Sequence, residues 1–578
     1  MTIDLSTITF TNGADIVPES GEEAIVNTGI ANTLAGNDTI TGIGGPYDFL
    51  NPSAGNRYGI FNSGTFNMAE GEDVITATGF VAFKNIGTFN AAEGNDIITA
   101  DAHSIGTGFE NTGTFNTAEG NDIITANSQV GIGLDNSGAF NTGEGNDIIT
   151  ADTSKYLTGF GFKNTGTFNT GEGDDVITGK GVDEGITISG IFETGDGNDR
   201  ITGDSGYIRA SSTTGISNSF SSTFTTGDGN DTIEGSGTNG LYNTGFINTG
   251  NGKDIITGNG NFHAFVKDSG IYNSGTINTG NDDDIITAKL GFKNYGNIDM
   301  GGGNDSLTAI FGTYQYKFEN FNVIETEDGD DIITADVRLN NYGNIDTGNG
   351  DDSIIANARP FEDSYGIFNN GTINTDSGQD SIISLGNFTN KGNVFLGEGN
   401  DSIAADKNLS ERAFENFGFI GTGDGNDIIN TTGIIYNEGV INTGDGDDSI
   451  IVGGVIDDLT DTSYGIYNNG GAINMGDGND SIIANQGFES GSNSSGAWFL
   501  GEGDDYIKGY GSGDFYGGKG NDTLELTPGT YTVGIWDTSP IFTKGNQLMI
   551  TSEFEKLKAG STIYDFTSLT AGQIITVT

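Results

Sequence analysis

"NTGTFNTAEGNDIITA", Asn111 to Ala126, returns with small changes as "NTGTFNTGEGDDVITG" from Asn164, "NTGFINTGNGKDIITG" from Asn243 and "NEGVINTGDGDDSIIV" from Asn437. Aligned on the last acidic residue of its Gly-x-Asp turn, the repeat gives twenty copies: Asp38, Asp73, Asp96, Asp122, Asp147, Asp175, Asp199, Asp231, Asp254, Asp284, Asp305, Asp331, Asp352, Asp380, Asp401, Asp427, Asp448, Asp480, Asp505 and Asp522. The residue two before is Gly in every copy except one, where Asp282 stands. Two after, eighteen copies carry Ile and the other two carry Leu307 and Leu524. Between the Asp and that Ile the residue is free, as Arg200, Ser306 and Tyr506 show. Fixed and free positions alternating with period two are the mark of a strand with one face buried.

Two more apolar columns keep their distance from the Asp. Seven residues before it stand Phe66, Phe89, Phe115, Phe140, Phe168, Phe192 and Phe224, then Ile247, Ile277 and Ile298. Thirteen before it stand Phe83, Phe109, Leu134 and Phe162, followed by Asn-x-Gly as in Asn111 to Gly113. One repeat therefore predicts three short strands and three turns. No helical period competes, and repeats stacked in register bury each column against its own copies. The expectation is an all-β, right-handed parallel β-solenoid of about twenty coils over 31–525, an N-terminal cap over 1–30 and a small β-rich C-terminal cap over 526–578. Asn85, Asn111, Asn136, Asn164, Asn294 and Asn341 should form an amide ladder on the edge opposite the acidic turns. Asp331 to Asp352 is 21 residues, a bare coil, whereas Asp199 to Asp231 is 32. The excess falls before the third column, as in "ADTSKYLTG" (151–159) and "GDSGYIRASSTTG" (203–215), so insertions should decorate one edge.

Composition agrees. Gly supplies 98 of 578 residues and Pro only 6, but 36 Phe and the regular Ile are too many for a flexible linker, so Gly serves turns. Lys+Arg 22 against Asp+Glu 80 leaves −58, which disfavours nucleic acid and anionic membranes and favours cations. No run of about 18 apolar residues predicts a membrane span, and the first twenty residues lack the basic and apolar regions of a cleaved leader. Absence of Cys removes disulfides and thiolate metal sites. His103 and His263 stand alone and read as surface residues, not zinc ligands.

The turn Gly-x-Gly-Asn-Asp-x-Ile-x, as in "GDGNDIIN" from Gly423 to Asn430, resembles the nonapeptide of RTX or hemolysin-type calcium-binding proteins, over roughly residues 31 to 525. The full pattern appears only in "GGKGND", Gly517 to Asp522; elsewhere Thr117, Thr142, Thr170 and Thr422 take the first Gly position. The resemblance implies a β-roll with Ca²⁺ between turns of adjacent coils, held by turn carbonyls and Asp carboxylates. It carries ligand roles onto the ladder Asp residues other than Asp284, whose turn holds Asp282. It adds Asp514, which lies nine residues after Asp505 and eight before Asp522, where the family's two-sided spacing returns. Lys253 and Lys519 are further departures. Independently of the family, twenty carboxylates stacked about 4.8 Å apart would repel, and a hard divalent cation would relieve them.

After Asp522 the acidic turns stop. The ending "STIYDFTSLTAGQIITVT" resembles the uncleaved C-terminal secretion region of type I exporter substrates, especially cyanobacterial ones. The expected role is that of a secreted, calcium-binding structural protein of a surface layer, sheath, filament or matrix, not an enzyme. Its expected partners are itself, the type I export machinery and cell-surface polysaccharide. The alternatives are an adhesin or carbohydrate-binding protein using the inserted loops and, behind it, a polysaccharide lyase or epimerase.

Overall fold

Residues Ile123 to Asp147 make one turn of a parallel β-solenoid. The β-branched run Ile123–Asn127 forms the first strand, with Ile124 and Ala126 inside and Ile123 and Thr125 outside. Gly131–Asn136 forms the second and Ala139–Asn141 the third, after which the acidic Gly turn leads to Asp147. Like pairs with like: Ile124 lies between Ile98 and Ile149, Leu134 between Phe109 and Phe162, and Phe140 between Phe115 and Phe168. A slip of one residue would turn every Ile of the first column outward, so the burial pattern fixes the register.

The computed structural model describes residues 2–21, 23–45, 57–155, 158–206, 213–261, 269–310, 317–336, 338–357, 365–406, 412–453, 464–491 and 496–578. The chain divides into two compact units, Met1–Gly301 with Ala309–Tyr316, and Gly302–Thr308 with Lys317–Thr578. Both are all-β parallel solenoids, as the sequence predicts. In the first unit the coils begin earlier than the expected cap boundary. Ile16–Gly21 already pairs in parallel with Thr39–Gly44, and Ile30–Asn32 with Thr65–Asn67. In the second, parallel pairing runs from Phe318–Asn320 onto Leu339–Asn341 through to Ala497–Glu502 onto Gly513–Lys519. The longer insertions, including 207–212 and 262–268 with His263, lie outside the described residues.

Phe89, Phe115, Phe140 and Phe168 are buried with successive ring centroids 4.9, 4.5 and 5.3 Å apart and nearly parallel. Each such pair contributes about 0.5–1.5 kcal/mol beyond area burial. The Asn ladder forms as expected: Nδ2 of Asn85 donates to Oδ1 of Asn111, Asn111 to Asn136 and Asn136 to Asn164, each at 2.8 Å. The turn glycines are required where coils touch. A Cβ on Gly120, whose φ is +149°, would lie 1.8 Å from the Gly94 carbonyl oxygen.

The end of the second unit changes from parallel to antiparallel pairing. Gln547–Ser552 and Lys556–Ala559 each add a parallel strand to the last coil, and then pair antiparallel with Ser539–Lys544 and Thr562–Asp565. Tyr531, Phe542 and Leu557 fill the interior beneath them. These strands cover the edge of the last coil, which would otherwise present unpaired backbone groups.

Candidate metal centre: a buried carboxylate ladder

The acidic turn places its Asp inside. Every ladder Asp from Asp38 to Asp522 is at most 2% exposed. The reason lies in the local sequence: the Gly two residues before lets the chain turn tightly, and the strand begun by the next residue keeps alternate side chains, including the Asp, on the inner side. One carboxylate oxygen then has a backbone partner. The N–H of Asp96 donates to Oδ1 of Asp122, that of Asp122 to Oδ1 of Asp147, and that of Asp147 to Oδ1 of Asp175, at 2.8, 2.8 and 2.7 Å. In the second unit the N–H of Asp331 reaches Oδ1 of Asp352 and the N–H of Asp352 reaches Oδ1 of Asp380, both at 2.8 Å.

The other oxygen is stranded. Oδ2 is buried and accepts no hydrogen bond at each ladder Asp from Asp38 to Asp254 and from Asp331 to Asp522. Neighbouring turn groups are occupied with one another. The N–H of Gly120 donates to the Glu144 carbonyl at 2.8 Å, and the N–H of Ile148 to the Asp122 carbonyl at 2.8 Å. Outside the ladder runs a second one of opposite polarity, in which the N–H of Asn121 donates back to Oδ1 of Asn95 and that of Asn146 to Oδ1 of Asn121, both at 2.7 Å and both exposed.

Burial is the main cause of a marked rise in the ladder pKa values; the N–H bond to Oδ1 opposes it, and adjacent carboxylates add to it. Asp73, Asp199, Asp254, Asp331, Asp380, Asp448, Asp505 and Asp522 are pushed up to about 6. Asp147, Asp231, Asp401 and Asp480 reach about 7, and Asp96, Asp175 and Asp352 about 8. Asp122 and Asp427 are raised as well. A buried anionic oxygen with no donor is costly, so each rung calls for a proton or a cation.

A third oxygen belongs to the same environment. Five residues before the Asp stands a buried Thr in many coils, among them Thr117, Thr142, Thr170, Thr194 and Thr226. Its hydroxyl donates along the stack, Thr117 to the Thr142 carbonyl at 3.0 Å and Thr170 to the Thr194 carbonyl at 3.1 Å. The same hydroxyl stands by its own coil's carboxylate, lowering the Asp122 and Asp175 pKa against the larger effect of burial. Its one proton can serve the neighbouring carbonyl or its own coil's carboxylate, and while it serves the carbonyl only its lone pairs remain.

Sequence and structure part company at four places. Asp514 is outside the ladder: it sits on Gly513–Lys519, half-exposed, at the outward position beside the buried Phe515, and pairs with Ala497 and Ile550. Asp284, left out of the expected ligand set, is buried in the ladder and its Oδ1 accepts the Asp254 N–H at 2.8 Å. Asp282 replaces Gly there by adopting a φ of +84°. The ladder also extends beyond the repeats recognised in sequence. The N–H of Asp15 donates to Oδ1 of Asp38 at 2.7 Å, and Oε2 of Glu555 accepts the Asp522 N–H at 2.8 Å. "NGADIV" at Asn12 to Val17 carried the signal for the first, with Gly13 and Val17 in register; the second is a Glu in a sequence without a Gly turn. Lys253 and Lys519 point outward to Asp283 and Glu502 and leave the ladder intact.

Among the described residues, no three His, Cys, Asp or Glu side chains converge as a metal site. The ladder supplies one carboxylate per coil, so a cation would take Oδ2 from successive coils and complete its shell with neutral oxygens. The donor chemistry, all hard oxygen with a stranded buried carboxylate oxygen, fits Ca²⁺ and does not suit a soft metal. His103 has Nε2 3.3 Å from the Gly44 carbonyl.

The chain is thus a parallel β-solenoid whose edge is built on one buried carboxylate per coil. No family model and no curated protein matches it. Among solved structures it is similar to a hyperactive, Ca²⁺-dependent, β-helical antifreeze protein from an Antarctic bacterium, at 18% identity over 70% of this chain and 84% of that chain, with a TM-score of 0.28.

Proposed function

We propose that the chain is a calcium-binding structural protein that acts outside the cell, in a surface layer, sheath, filament or matrix, and folds when it meets calcium. The observation that carries this reading is the row of buried, unpartnered Oδ2 atoms. In the cation-free chain at neutral pH these oxygens must either take up protons or keep the coils apart. A divalent cation supplies the missing positive charge and oxygen coordination, so its binding energy becomes folding energy.

The rest follows from where calcium is plentiful. Sites like those of other extracellular modules bind with dissociation constants of about 10⁻⁴ to 10⁻³ M, so a low-calcium cytosol leaves the chain open. An open chain can thread an exporter of the type I class and fold on the far side. The net charge of −58 then falls as cations enter the ladder, which removes repulsion between copies and favours self-association. Equilibrium dialysis with calcium tests the reading. Many ions per chain, displaced by chelator and reduced by about one for each ladder Asp removed, support it; binding of one or two ions, unaffected by ladder substitutions, rejects it.

A further inference from the structure

The Thr column is not continuous. In the first unit it runs unbroken from Thr117 to Thr279, but the two preceding coils have Met68 and Ala91 at that position, serving Asp73 and Asp96. In the second, Leu396, Met475 and Leu500 interrupt it. All are buried, so apolar side chains and Thr fill the same volume. Packing alone would favour the apolar residue, because burying a hydroxyl costs unless it is bonded.

Two features assign the hydroxyl a further task. Its proton goes to a carbonyl one coil on, as from Thr194 to the Thr226 carbonyl at 3.2 Å and from Thr226 to the Thr249 carbonyl at 3.1 Å. A hydroxyl that donates to that carbonyl leaves the ladder Oδ2 atoms of Asp199 and Asp231 unpartnered. At Thr347 even this bond is absent: Oγ1 is fully buried without a partner, and Oδ2 of Asp352 is also unpartnered, while at Gly517, the same position in the coil of Asp522, a Cβ would stand 2.8 Å from the Asp522 Oδ2. A buried hydroxyl oxygen and a buried carboxylate oxygen on one rung, both without a partner, are costly, and a cation beside both would relieve that cost.

We infer that the Thr hydroxyl is a neutral cation ligand added to the ladder Asp, and that its presence or absence sorts the coils into tight and weak calcium sites. The inference rests on the calcium reading above. A hard cation takes six to eight oxygens, so a rung with Thr offers one more inner oxygen than a rung with Met, Ala or Leu. Because each repeat in a solenoid contacts mainly its neighbours, tight rungs can order before weak ones. Calcium should therefore build the first unit outward from the Thr170–Asp254 region and reach the Met68–Asp96 coils last.

Amide hydrogen exchange of the full chain, read by mass spectrometry across a calcium titration, tests this. Coils between Thr170 and Asp254 should reach half-maximal protection at about tenfold lower calcium than coils between Met68 and Asp96, the factor appropriate to one charge-assisted contact. Thr194→Val with Thr226→Val should raise the midpoint of their coils by a similar factor, Thr194→Ser with Thr226→Ser should restore it, and Ala91→Thr should lower that of its own coil. Protection of all coils at one calcium concentration overturns the sorting while leaving calcium-driven folding intact. So does a Val pair that weakens protection at saturating calcium without moving the midpoint, since that is a packing effect. Protection independent of calcium everywhere overturns both this inference and the function beneath it.

Discussion

The backbone N–H of Asp122 donates to Oδ1 of Asp147, one coil later, at 2.8 Å, while Oδ2 of that same carboxylate lies buried with no donor. The first half of this relationship ties coil to coil; the second leaves a charge to be neutralised. The ladder is the seam of the solenoid and, on the calcium reading proposed above, its switch.

Without calcium, acidification should stabilise the chain. Most ladder pKa values lie at about 6 to 8, above the unfolded value of 3.8, so the folded state holds more protons than the unfolded one. A raised folded pKa gives stability that is complete below the unfolded pKa and is lost as pH rises through the folded pKa. Melting in chelator should therefore show Tm falling steadily between about pH 4 and pH 8. A Tm that rises over that window contradicts the ladder environment described.

Asp352→Asn and Asp352→Ala should behave differently. Asn keeps an oxygen for the Asp331 N–H and can turn an amide donor toward the unpartnered Thr347 Oγ1. It should hold stability in chelator at about pH 5, where the ladder is protonated and the calcium-free chain is folded, and blunt the calcium response of its coil. Ala strands the Asp331 N–H and should cost about 1–3 kcal/mol with or without calcium. Thermal melts of both variants in chelator and in millimolar calcium decide this.

The stacked Phe column should be the costliest place to cut. Phe140→Ala empties a buried site between Phe115 and Phe168 and should lose about 3–5 kcal/mol in calcium-saturated denaturant titrations. Ile123→Thr, on the outward face of the neighbouring strand, should stay within about 0.5 kcal/mol.

Gly120→Ala should fail locally for steric reasons. With its φ of +149° and a Cβ 1.8 Å from the Gly94 oxygen, the turn must move away from its neighbour, and hydrogen exchange should report opening around residues 94–122. Unchanged exchange there would mean that the coils are less closely stacked than described.

The strands and their register were legible in the sequence because identical residues stack on themselves: Ile124 on Ile98 and Phe140 on Phe115 need no knowledge of distant contacts. The inward Asp was legible for the same reason, since it keeps strict phase with the Ile two residues on. The ends of the ladder were harder. Asp15 follows "NGA" instead of an acidic Gly-rich turn, and Glu555 reaches its place from the cap, through a longer side chain that no repeat announces. Asp514 shows what spacing leaves open: it suits a second acidic row, and the strand phase set by buried Phe515 places it outward, apart from the buried ladder. The split of each carboxylate into a bonded and a stranded oxygen could not be read from sequence at all, because it depends on which neighbouring coil supplies the N–H.

Whether calcium drives folding is decided by circular dichroism of the purified chain through a calcium titration at pH 8, begun in chelator. The spectrum should be largely unordered in chelator and convert to a β-spectrum as calcium reaches about 10⁻⁴ to 10⁻³ M, reversibly on adding chelator again. A chain already fully β-structured in chelator at that pH, and unchanged by millimolar calcium, would contradict calcium-driven folding.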